Sequence, residues 1–134
     1  MTRSEDTGKL ILRVALGILI LLHGIAKLKG GVGFVSSQLT SHGLPPILAY
    51  GVYIGEVIAP ALIIIGFFTR PAAWIVAVNM LFAFYLVHMG DLSALTKQGG
   101  WQLELQGMFL AAAVAVGFLG AGGFSLGGRT GRLN

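Results

Sequence analysis

Five side chains in this chain are of the kinds that move a proton or grip a polar ligand within an apolar setting: His23, Lys27, Glu56, His88 and Glu104. Glu56 is the most informative of them. It sits near the middle of Ile47 to Phe68, a run with no other charged residue. A carboxylate at bilayer depth costs on the order of 2–4 kcal/mol on insertion scales. It must therefore have a partner, hold a proton, or do both in turn. Arg13 and Asn79 are the candidate structural partners, and an arginine extended outwards could approach Glu56 and keep it ionised.

Counting about 1.5 Å per residue from the presumed inner helix ends gives each polar residue a depth. Arg13 is lowest, Asn79 a turn or two higher and Glu56 a little above the midplane, with His23, Glu104, His88 and Lys27 in the outer part. On the first helix Arg13, Gly17, Ile20, Gly24 and Lys27 share one stripe, with His23 about 80° from Arg13 at 100° per residue. Pro60 adds a further effect. It has no N–H for the carbonyl four residues earlier, which belongs to Glu56, so a kink is expected there and the freed oxygen could take water, a cation or a ligand head.

The elements that must position these groups are long apolar helices. With 55% hydrophobic and 10% charged residues among 134, and a mean hydropathy of +0.84, the composition is that of an integral membrane protein. Four stretches approach the roughly 20 residues that cross a hydrocarbon core: Leu10 to Leu28, Ile47 to Phe68, Ala72 to Met89 and Gln102 to Leu119. The expected fold is an all-α antiparallel bundle of four transmembrane helices, one membrane domain over residues 1–134. Between the first two spans, Val32, Val35 and Leu39 fall at helical spacing opposite Ser36, Ser37, Gln38 and Ser41, which fits either a short interfacial helix or a polar loop. Thr69 and Arg70 before Pro71 read as the turn between spans two and three.

Alternation places Arg3, Lys9, Arg13, Arg70, Arg129 and Arg132 on one side against Lys27, Lys29 and Lys97 on the other, so both termini are expected to be cytoplasmic. The net charge of +4 is scattered over span ends rather than gathered on a face, which argues against nucleic acid. The first span carries Glu5 and Asp6 before it, contains Arg13 and lacks a small-x-small cleavage site, so it reads as retained. Gly51, Gly55 and Ala59, with Gly17 and Gly24, form small-residue rows that pack helices against each other or against a second copy of the chain.

There are no cysteines, so a structural disulfide, a thiolate zinc site and an iron–sulfur cluster are ruled out. His23 and His88 at nearly equal depth raise haem or metal ligation, but without an HxxxH or Glu-x-x-His pair neither is expected. Any redox role must use a bound cofactor or a partner.

The ordered run Leu12-Arg13-Val14-Ala15-Leu16-Gly17, then Leu22-His23-Gly24, Lys27 and Gly43-Leu44-Pro45, resembles the opening of the DoxX family of small four-span membrane proteins. The resemblance continues through Gly55-Glu56, Gly66-Phe67-Phe68-Thr69-Arg70, His88, Gly99-Gly100-Trp101-Gln102-Leu103-Glu104 and Gly122 to Leu126. It implies a bundle in the bacterial cytoplasmic membrane and a membrane subunit of oxidoreductase systems such as thiosulfate:quinone oxidoreductase. Related branches look like assembly factors, so fold transfers better than chemistry.

Two functional readings follow. In one, an outer-half pocket lined by His23, Lys27, Glu56, His88 and Glu104 binds a quinone headgroup or a small oxyanion within a redox complex. In the other, the buried charges set helix register and the chain is a non-enzymatic scaffold for a protein partner. A small transporter is a third class, for which four short spans without internal repeats offer little machinery.

Overall fold

The computed structural model describes residues 2–87, 95–128 and 133–134. Five helical elements follow in order: α1 (Arg3–Gly30), α2 (Gly33–Ser41), α3 (Pro46–Ile65), α4 (Thr69–Val87) and α5 (Glu104–Leu119). Among the described residues α1, α3 and α4 are long and apolar enough to cross a membrane. The expected fourth span is shorter than its apolar run: α5 has 16 residues, because Trp101 to Leu103 form a turn before it. Met89, the expected end of the third span, lies outside the described residues.

The outside of the molecule is apolar, as a protein in a lipid bilayer requires. Ile11, Leu22, Met108 and Phe118 are each more than half exposed, a pattern that water would penalise and hydrocarbon does not. Inside, Leu16 and Ile20 of α1 meet Ile63 of α3, Val76 and Met80 of α4, and Phe109 and Val116 of α5 in one core. A second cluster of Val32, Leu39, Ala49 and Leu86 ties α2 to α3 and α4. The segment between the first two spans is thus helical, with Val32 and Leu39 buried.

α3 is not uniform. It opens as a 3₁₀ helix at Pro46–Tyr50, where the proline's missing donor costs least. It then passes through a π turn at Ile54–Ile58 before resuming as an α-helix at Ala59–Ile65. The disturbance expected from Pro60 takes this form: the Ala59 N–H reaches back to the Ile54 carbonyl. The Glu56 oxygen freed by Pro60 lies against the backbone of α1, since a Cβ on Gly24 would stand 2.1 Å from it. The close approach of Gly24 thus occupies space beside that oxygen that water or a cation could have taken.

Close approach of α1 to α3 depends on that glycine. Gly24→Ala is expected to lower stability by about 1–3 kcal/mol through overpacking, read as a loss of folded protein in detergent extracts. Gly51 lacks the contact its row suggested. Nothing lies within 4 Å of a Cβ built there, so Gly51→Ala should keep the wild-type yield.

The α3–α4 turn is Gly66 to Phe68 rather than Thr69 and Arg70, which belong to the first turn of α4 with Pro71. Gly66 ends α3 in the left-handed region at φ 75°. Beyond α5 the chain folds back across this end of the bundle. Leu126 and Gly127 donate backbone N–H groups to the Ile65 and Gly66 carbonyls at 3.0 Å each. Asn134 accepts from the Thr69 hydroxyl at 2.9 Å through its side chain and from the Ala121 N–H at 2.6 Å through its backbone.

Candidate functional site

Two sets of polar side chains, one at the tail end and one midway along α3 and α4, have different occupations. At the tail end, the Arg13 guanidinium is 1% exposed and donates to the carbonyls of Ala121 (3.1 Å), Ile63 (2.9 Å), Ile64 (2.7 Å) and Phe124. Ile63 and Ile64 lie in the last turn of α3, whose carbonyls have no donor within the helix and carry the negative end of its dipole. Arg70 does the same for α5, donating to Gly117, Phe118 and Leu119. Asp6, also buried, accepts from the Gly123 N–H at 2.9 Å. These charges cap helices and pin the C-terminal segment.

The expected approach of Arg13 to Glu56 does not occur. A helical side chain leans towards the N-terminus of its own helix, which carries Arg13 away from Glu56. The same lean carries Lys27, two turns above Ile20, down to the acid. Lys27 Nζ lies 2.6 Å from Glu56 Oε1, and Asn79 Nδ2 donates to Glu56 Oε2 at 3.1 Å. Each carboxylate oxygen is thus matched, from α1 on one side and α4 on the other. Gly55 permits the second contact, because a Cβ there would sit 2.7 Å from the Asn79 side chain.

The Lys27–Glu56–Asn79 triad forms one wall of a cavity of about 330 Å³, at the small end of the range for small-molecule sites. The Glu56 side chain is 7% exposed and that of Lys27 31% exposed, so Lys27 is more open to a ligand than Glu56. His23 lines the same cavity and meets Phe109 edge to face at 5.7 Å. Most of the remaining lining is apolar, including Phe34, Val35, Val52, Met80 and Leu86.

Of the residues picked from sequence, His23, Lys27, Glu56 and Asn79 share this cavity. Glu104 does not line it: the side chain is exposed and folded over Gly100, where a Cβ would stand 2.6 Å from its Oε2. Gln106 and Phe109 occupy the cavity face of α5 instead, and Glu104 is about 200° round the helix from Gln106. His88 lies outside the described residues. Gln38 of α2 and Gln106 also line the cavity and were not singled out. The usable signal for Gln106 was its spacing of three from Phe109 on one helical face.

The DoxX family model matches residues 8–89, well over half of the chain, including α1 to α4 and the Lys27–Glu56–Asn79 triad. The chain belongs to the DoxX family. Two relatives extend the comparison. An uncharacterised protein of Haemophilus influenzae is 33% identical over 125 residues, 86% of this chain and 84% of its own length. A Bacillus subtilis protein named "Putative oxidoreductase CatD" is 36% identical over 87 residues, 65% of this chain and 60% of its own length. No solved structure matches the chain. Among the described residues no cluster of three metal-ligating side chains occurs.

Proposed function

We propose that this DoxX-family protein is the membrane subunit of an oxidoreductase system and that its cavity binds a quinone headgroup. The observation that carries this reading is a small, mainly apolar cavity with a charge-neutral ion pair set in its wall. A small oxyanion would need an unmatched cation and several donors. Here Lys27 is already matched by Glu56 at 2.6 Å. An uncharged ring carbonyl fits better: it needs only one of the remaining ammonium hydrogens as donor, and its ring occupies the apolar lining. The name of the Bacillus subtilis relative supports an oxidoreductase assignment.

In this role Lys27, with His23 and Gln106 beside it, orients the quinone. Glu56 and His23 are the groups that can hold a proton next to it. Reduction of a quinone to a quinol takes two electrons and two protons. The chain has no cysteine, so we assign the electrons to a bound cofactor or a protein partner. We further propose that α5 is the fourth crossing and that α2 lies in the outer interface. With both termini cytoplasmic, the cavity belongs to the outer half of an inner-membrane bundle.

The test is binding of a short-chain ubiquinone to purified protein in detergent, read by calorimetry. Saturable binding at one site is expected. Ala83→Phe, which projects a ring into the cavity, should weaken it by about tenfold or more, the loss that corresponds to 1.4 kcal/mol. Absence of binding, together with unchanged quinone reduction in membranes lacking the protein, would overturn the proposal. Scaffold function is the alternative, and the capped tail end gives it a physical basis, since Asp6, Arg13 and Arg70 there bond backbone groups of the helix ends and the C-terminal segment.

A further inference from the structure

A second, apolar cavity of about 200 Å³ adjoins the first. Val35, Val52, Asn79, Phe82 and Leu86 line both, so the two spaces meet between α3 and α4 beneath α2. From there the second cavity continues along the α3–α4 seam past Leu48, Gly51, Ile75 and Val78. Those four residues stand among the exposed ones, so the far end opens on the lipid-facing surface. Val35 and Leu39 of α2 cover the near end. Among the described residues Asn79 supplies the only polar side chain of this lining, and its amide nitrogen is engaged with Glu56.

We infer that this seam is the binding slot for the hydrocarbon chain of the ligand, and that the ligand enters sideways from the bilayer between α3 and α4. The inference rests on the proposed headgroup site and names the ligand class more closely: a single-chain amphiphile with an uncharged polar head. Three observations carry it. The polar triad lines the first cavity and open apolar surface flanks the second, matching an amphiphile's own division. The shared residues set the head and chain regions side by side. Gly51 leaves a gap on α3 with nothing within 4 Å of a Cβ, although its helical backbone at φ −61° would accept any side chain. That absence of a side chain widens the slot without serving helix packing.

Gly51→Leu tests this directly, because it narrows the slot without touching the headgroup residues. Binding of two probes to the intact protein in detergent would be compared: a ubiquinone ring without a tail, and the same ring with a ten-carbon chain. The variant should bind the tailless ring as the wild type does. It should bind the tailed probe weaker by about tenfold, roughly what losing burial of two methylenes amounts to. Val78→Phe, from the opposite side of the seam, should reproduce this. Comparing proteins at a fixed probe removes the probe's own partition into micelles. If the wild type binds the tailless ring and both variants bind the tailed probe as tightly as wild type, the chain slot is wrong and ordinary lipid covers the seam, while the headgroup site stands. If neither probe binds the wild type, both assignments fail together.

Discussion

Arg13→Leu should lower the stability of the protein by about 3–5 kcal/mol, the scale set by breaking a buried charge network, and should release its C-terminal segment to protease. The guanidinium joins four carbonyls from two places in the chain: Ile63 and Ile64 in α3, Ala121 and Phe124 in the tail. A single polar contact in a membrane protein is modest, averaging about 0.6 kcal/mol in one series of double-mutant cycles. Four such contacts give about 2.4 kcal/mol, and a buried carbonyl left without a donor costs about 1–3 kcal/mol more. Leucine cannot reach a carbonyl at all. Lysine keeps the charge but not the planar fork, so Arg13→Lys should fall between leucine and wild type. Unfolding followed by circular dichroism in detergent gives the first quantity, and limited proteolysis of the tail the second. Wild-type stability and a protected tail in Arg13→Leu would show that the arginine is not what closes this end.

The second large effect concerns Lys27 and Glu56. Removing Lys27 alone, as Lys27→Met, leaves a carboxylate that is 7% exposed with only Asn79 to hold it. Breaking a fully buried pair this way costs about 3–5 kcal/mol. Lys27 is 31% exposed, so solvent screening brings the expected loss down to about 2–3 kcal/mol. Replacing both, as Lys27→Met with Glu56→Leu, should restore most of it, because no charge is then left behind. Equilibrium unfolding of the two singles and the double gives the coupling energy. The double variant also separates the two functional readings: a pair that serves only helix register would leave quinone binding unchanged, whereas a pair that orients the ligand would leave a folded protein that no longer binds it.

Much of this molecule can be read from the chain because lipid imposes local rules. Backbone groups in hydrocarbon must be bonded within the protein, and a helix does this within its own segment, so long apolar runs become helices wherever they fall. α1, α3 and α4 appear where hydropathy places them, and α2 where Val32, Val35 and Leu39 recur at helical spacing. Glu56 stood out for the same reason, since an acid in such a run needs a partner. The choice between Arg13 and Lys27 was made by the three-dimensional structure. Both lie on one stripe of α1, and their registers alone do not say which carbonyls or carboxylates arrive opposite them.

The tail decided Arg13. Its carbonyl acceptors Ala121 and Phe124 are more than 100 residues away and have no side-chain signature. α5 decided Glu104, whose position on the helix turns it away from the cavity while Gln106 turns in. The glycines divide in the same way. Gly24 meets the backbone of α3, Gly55 the side chain of Asn79 and Gly51 open space, a distinction that depends on the neighbouring helix and not on the residue. By itself the sequence determined which long segments are helical, which family they form and which acid required a partner. The tertiary structure alone decided which charge meets that acid and where the adjoining cavities run, because both depend on distances between helices that no local pattern encodes.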